Sequence, residues 1–327
     1  MWTPGRNAFR WFAGIAACAS LPVPDSCAQS YPVKPVRMVL GFSAGGLSDV
    51  LARLMAPKLS EYLGQSLVIE NRPGASGAIA TQRVAASPAD GYTLLLMTAA
   101  DTVTPALRAK LAYDLERDFA PVTLVVIAPF VLLVHPSVPA HNVKELIALA
   151  RSRPGKLSYG SVGAGSTPHL AGELLKAMAK VDIVNVPYKG GADNVIAAAS
   201  GQVDMSFASI PSLLPLLEAG KIRPLAVTSA RRASLLPALP TLDESGFRGY
   251  DRSSWQGVLA PAGTPKDIIA RLGAAFGKVV DIPEMNQALI KQGLEPQTNT
   301  PDEFAAFIQR ELAKNADLIK LIGVKAE

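Results

Sequence analysis

Cysteine is nearly absent. The 327 residues hold two, Cys18 and Cys27, and both fall in an opening segment that reads as a secretion leader. Arg6 and Arg10 give it a positive start, residues 11–21 a short apolar core, and Pro22 and Pro24 a break. Ser26-Cys27-Ala28 then puts small residues where a signal peptidase needs them. Residues 1–28 are expected to be a signal peptide cleaved after Ala28, giving a soluble secreted product. The competing reading is a lipoprotein box at residues 15–18 with Cys18 lipidated. A chain that starts after Ala28 has no cysteine, which excludes disulfides, thiolate metal sites and a cysteine nucleophile.

Other shortages narrow the function further. Histidine occurs three times, at His135, His141 and His169, and not beyond. There is no H-E-x-x-H, no calcium loop and no Cys/His set, so neither a metal nor any other cofactor is expected. The apolar stretch of the leader is far short of a membrane span. The net charge of +5 is spread thinly, without the basic clusters or basic–aromatic interleaving of nucleic-acid binders, so no nucleic-acid partner is expected. What is present is a globular composition, 49% apolar and 18% charged, long enough for two domains with ample cores.

The apolar patterns alternate between strand and helix. Short runs at 36–42 and 92–99 read as buried strands, residues 66–74 as a strand followed by a turn, and the intervening segments carry apolar residues three and four apart. Pro57 falls inside the first helical stretch and should kink or divide it. A second alternating unit starts near residue 130, with strands at about 130–136, 156–161, 182–188, 202–209 and 222–229. Residues 230–265 are rich in Pro, Gly and Ser and read as a crossing with one short strand near Trp255–Leu259. Only helices follow, near 264–279, 283–292 and 301–322. Helices alone cannot complete a sheet, so they are expected to pack back on the first unit. The expected architecture is α/β: lobe 1 from 29–129 plus 250–327, lobe 2 from 130–249, each a mostly parallel sheet flanked by helices, with a ligand cleft between them.

Two glycine turns carry the chemistry. The first, Gly41-Phe42-Ser43-Ala44-Gly45, matches G-x-S-x-G, the turn that presents a hydrolase nucleophile. A hydrolase needs an acid and then a histidine later in the chain. The histidines here are poorly placed for that, and only about a dozen mature residues precede Ser43 to donate an oxyanion-hole amide. A secreted serine hydrolase using Ser43 is therefore the alternative, and a non-enzymatic binding turn the main reading. The amides that open a helix near Leu47 or Ser48 have no intrahelical partner and suit an anion. Ser43 adds a hydroxyl and Phe42 an apolar surface. Asp49 in the first helical turn either caps or contacts ligand. The second loop, residues 159–175, repeats the pattern, with Thr167 as expected N-cap, Pro168 as first helical residue, and Gly165, Ser166 and Thr167 able to surround a carboxylate. His169 follows and can donate through its ring to an anion. Asp204 either borders the cleft or serves a structural partner.

These stretches resemble a known family. Residues 31–77, "ADGYTLLLMT", "YDLERDFAPVTLV", "SRPGKLSYGSVGAGSTPHLAGELL", "VPYKGGADNVIAAASGQVDMSFAS" and "WQGVLAPAGTP" occur in the order found in the tripartite tricarboxylate transporter substrate-binding proteins, also called the Bordetella uptake gene family. The resemblance implies a type II periplasmic binding protein, two lobes closing on a small carboxylate (an organic acid, acidic amino acid or aromatic acid). It also implies a non-enzymatic receptor that delivers its ligand to a two-component membrane permease; a sensor of the same fold is an alternative, and a monomer is expected. Carried over by the resemblance, the ligand residues are Phe42, Ser43, Ala44, Gly45, Gly46 and Asp49, then Thr98, Ala99 and Ala100, then Ser161, Gly165, Ser166, Thr167, His169 and Asp204. The chain departs from the family where it has "GFSAGG" for the usual "PFPPGG", Asn185 for a usual histidine, and "GADN" after Tyr188-Lys189-Gly190 for the usual "GPA".

Overall fold

The computed structural model describes residues 1–2, 31–108 and 110–323. The leader, its cleavage site and Cys18 lie outside them.

The first stretch of chain gives β1 (Val36–Leu40), α1 (Leu47–Leu63), β2 (Leu67–Asn71), α2 (Ala78–Ala85), β3 (Thr93–Thr98), α3 (Ala99–Leu107) and β4 (Phe119–Ala128). The second gives β5 (Phe130–Val134), α4 (Val143–Ser152), β6 (Ser158–Ser161), α5 (Thr167–Ala179), β7 (Val184–Pro187), α6 (Gly191–Ala199), β8 (Met205–Ser209), α7 (Ile210–Glu218) and β9 (Arg223–Val227). The last gives β10 (Ser254–Pro261), α8 (Lys266–Val280), α9 (Pro283–Lys291), β11 (Glu295–Pro296) and α10 (Pro301–Ile322).

These strands form two sheets. One has the order β11-β4-β10-β3-β1-β2, the other β7-β6-β8-β5-β9. Both are mixed. β1 pairs in parallel with β2 and β3, whereas β10 runs antiparallel to β3 and β4. β6 is parallel to β7 and β8, and β5 antiparallel to β8 and β9. β5 and β10 each follow a crossing between sheets, and the two-residue β11 also runs antiparallel to its neighbour β4. β10 is no minor strand: its eight residues occupy the middle of the first sheet. β4, α3 and β11 have no counterpart in the sequence reading.

Helix α1 forms because Leu51, Ala52, Met55, Leu59 and Leu63 line one face and enter the core beside β1 and α8. Gly64, at φ +74°, ends it. The division expected at Pro57 does not occur; the helix runs unbroken through it. The returning helix α10 starts in a capping box, with Glu303 N donating to Thr300 Oγ1 and Thr300 N to Glu303 Oε2. It places Phe304 and Ile308 against Leu95, Met97 and Trp255 of the first sheet. Its far end sets Leu318 and Ile319 against Val103 of α3 and Leu170 of α5, an apolar cluster shared by the two lobes.

The lobes are joined by two crossings. β4 becomes β5 through Pro129 alone, and the chain returns through residues 251–253. Thr228 ties both together. It exchanges bonds with Phe130, whose N donates to Thr228 Oγ1 at 3.0 Å while Thr228 N donates to the Phe130 carbonyl at 2.9 Å. Its own carbonyl accepts from Arg252 N at 2.8 Å. On another side, Glu295 accepts from Ser234 N and Oγ at 2.7 and 2.6 Å, a bond from β11 to the loop after β9.

Candidate functional site

The two glycine turns are built alike. Gly46 N donates to the Ser43 carbonyl and Ser166 N to the Gly163 carbonyl, each at 3.3 Å. Gly45 and Gly165 sit at φ +81° and +75°, after an alanine of ordinary φ. Glycine at that position is what a type II turn requires. Each turn connects the carboxyl end of a strand to a helix start, α1 or α5.

A side chain four residues on staples each turn. Gly45 N donates to Asp49 Oδ2 at 2.9 Å, and Gly165 N to His169 Nδ1 at 3.2 Å. Asp49 is buried and also accepts from Arg53 Nε at 2.9 Å. Arg53 reaches Asn71 Oδ1, and Asn71 Nδ2 donates to the Phe42 carbonyl, so the first turn is braced at both ends. The Arg53 guanidinium, then the Gly45 amide, hold the Asp49 carboxyl down to about 2. Burial holds the His169 imidazole below its ordinary value. Because Nδ1 accepts the Gly165 amide, the ring's hydrogen is on Nε2.

This changes several roles. Asp49 and His169 each hold a turn through one side-chain atom. The amides of Gly45 and Gly165 are taken. The first amides of α1, those of Leu47, Ser48 and Asp49, and the Thr167 amide of α5 have no partner among the described residues. The cap of α5 is Ser166, one residue before the expected Thr167; its Oγ accepts from His169 N and donates to the Gly163 carbonyl. The Thr167 hydroxyl is left without a protein partner. Gly46 caps α1 through its extended backbone, and Ser43 and Ala44 are exposed.

The remaining expected residues divide. Ala100 faces a cavity. Thr98 is buried, its N and Oγ1 both donating to Asp101 Oδ2, and Ala99 packs in the core. Burial raises the Asp101 carboxyl, although Thr98 and Thr81 donate to it. Ser161 is fully buried and its Oγ has no protein partner. Asp204 is at the wrong end. It precedes the amino end of β8, accepting from Ser158 N and Oγ at 2.7 and 3.1 Å. The glycine loop leaves the opposite, carboxyl end of the parallel neighbour β6, so Asp204 fastens two strands away from the cleft.

Two adjoining cavities lie between the lobes. One, of about 470 Å³, is lined by Gly45 and Leu47 from the first lobe and Ser166, Thr167 and Asn194 from the second. The other, of about 430 Å³, is lined by Phe42 and Ala100 with Gly165 and Ser166. Val162 and Ser166 border both. The sequence reading missed Asn194, whose Nδ2 donates to the Phe207 carbonyl while its Oδ1 fills the space beside Gly160. It also missed the crossing residues Ala128, Pro129 and Phe130 that line the first cavity. The apolar–glycine break at Gly190-Gly191 was the available signal for Asn194.

No histidine bonds Ser43 among the described residues. His135 Nδ1 pairs with Ser137, and His169 with Gly165. No group of three or more His, Cys, Asp or Glu residues among the described ones is placed to hold a metal, and no described helix is long and apolar enough to cross a membrane.

Comparison with known proteins identifies the family. Residues 51–324 match the tripartite tricarboxylate transporter family receptor profile. Protein BugT of Bordetella pertussis is 35% identical over 315 residues, covering 96% of this chain and 94% of BugT. The structure of R. palustris Rpa4515 with adipate is 41% identical, covers 91% of this chain and all of that one, and superposes with a TM-score of 0.76. The periplasmic binding protein BugD is 33% identical with the same coverages and a TM-score of 0.73. The matched family is one of receptors, not enzymes, and BugD is a periplasmic binding protein. The chain is a member of the tripartite tricarboxylate transporter family of solute-binding receptors.

Proposed function

We propose that this receptor captures a small organic carboxylate between its lobes and delivers it to a two-component membrane permease. The observation that carries the reading is that both helix starts, at Leu47 and at Thr167, border one cavity. The first offers several unpaired amides and the second that of Thr167, each with the positive end of a helix dipole, an arrangement suited to a carboxylate. Val50, Phe130 and Phe207 give the same cavity an apolar wall, which keeps water from competing for those amides. The adipate in the R. palustris relative supports the same ligand class. With 29–129 plus 250–327 as one moving body and 130–249 as the other, the bound ligand favours the closed arrangement and so signals occupancy to the permease.

The test is a thermal-shift screen of ligand-stripped protein against organic acids, their amides and cationic amines. A ligand at 100 times its Kd stabilises by about 2.7 kcal/mol. Carboxylates are expected to raise Tm and their amides not to. Stabilisation by amides or amines alone would overturn the reading.

A further inference from the structure

The two cavities differ from the rest of the surface in one respect. Of all the residues that line them, Arg108 alone is charged. It is half-buried at the end of α3. Among the described residues, no carboxylate lies within ion-pair distance of it. Asp49, the carboxylate of the first turn, is paired with Arg53. Arg108 thus faces the cleft without a counter-charge. Between it and Ser166, the second cavity is walled by Phe42, Val103, Leu107 and Val162.

We propose that Arg108 sets the ligand specificity of this receptor by pairing with a second anionic group. The ligand then has three parts: one carboxylate at the helix starts, an apolar spacer against Phe42, Val103 and Leu107, and a distal carboxylate on the guanidinium. A guanidinium binds a carboxylate through two parallel hydrogen bonds, which fixes direction as well as charge. This rests on the carboxylate-receptor reading above.

Calorimetry separates the two. Unbranched α,ω-dicarboxylates of four to eight carbons are compared with monocarboxylates of equal length, on the wild type, Arg108→Gln and Arg108→Lys. The wild type is expected to prefer the best dicarboxylate over its monocarboxylate partner by tenfold or more. Arg108→Gln should reduce that ratio to about one, and Arg108→Lys should restore part of it. Ligand-free melting temperatures report whether the variants are folded. A wild type that binds both classes equally, or an Arg108→Gln variant that keeps the wild-type ratio, overturns the role of Arg108 and leaves the receptor reading standing. A wild type that binds neither class overturns both.

Discussion

Gly165 donates its backbone N–H to Nδ1 of His169, 3.2 Å away, and this bond sets the shape of the loop ahead of α5. It exists only while Nδ1 is unprotonated. His169 is held below its ordinary value by burial. A histidine whose folded pKa is depressed contributes stability that is complete above its unfolded value, about 6.5. That contribution falls as pH drops from there toward the folded value. The wild type is therefore expected to lose more Tm between pH 7.5 and pH 5 than His169→Gln, whose amide oxygen accepts the same bond at both. Equal losses in scanning calorimetry would show that the bond does not control the loop.

Asp49 gives the opposite sign. Its carboxyl is held down to about 2, so its contribution is present above the unfolded carboxylate range and lost as pH falls from about 4 toward 2. The Asp49 carboxyl carbon, followed by NMR, should titrate near 2 in the wild type. In Arg53→Met it should titrate closer to the ordinary value, because the largest cause has been removed. No change in Arg53→Met would mean that the Gly45 amide alone holds the carboxylate.

The two turn glycines should tolerate alanine unequally. A Cβ at Gly45 meets nothing within 4 Å, so Gly45→Ala carries only the left-handed backbone penalty, about 1–2 kcal/mol. At Gly165 a Cβ comes within 2.7 Å of Leu107 Cδ1, across the lobe boundary. Gly165→Ala is expected to cost more, and Leu107→Ala to relieve part of the excess. Denaturant melts of the four variants and the wild type form the cycle; additivity at Gly165 would refute the steric contact.

Thr167 offers both an unpaired amide and a hydroxyl without a protein partner. Thr167→Val keeps the volume and removes the hydroxyl. A hydrogen bond to a charged group is worth about 1.5–3 kcal/mol, so carboxylate affinity should fall roughly ten- to a hundredfold with Tm of the free protein unchanged. Unaltered affinity by calorimetry would remove Thr167 from the site.

The legible part of this molecule was local. "SAGG" and "GAGS" announced turns because glycine alone accepts the backbone at Gly45 and Gly165, and helix periodicity followed each of them. The partners of those turns were less visible. Asp49 and His169 have residue types that suit a ligand, and only three-dimensional geometry shows their polar atoms turned back on Gly45 and Gly165. Asp204 was readable in principle: it precedes the apolar run of β8, which puts it at the amino end, whereas ligands gather at carboxyl ends. β4 and α3 escaped because their apolar residues lie among prolines and threonines, and Arg108 escaped with them. The cavity wall contributed by Pro129 depends on how distant segments meet, which no local pattern records.

Thr228 bonds to both strands that pass between the sheets. Two cords knotted at one point do not flex independently, so a swing of one lobe on the other would turn about that knot. A membrane partner would then meet the same silhouette whichever acid had filled the gap, and recognition of the cargo and recognition of the carrier become separate problems.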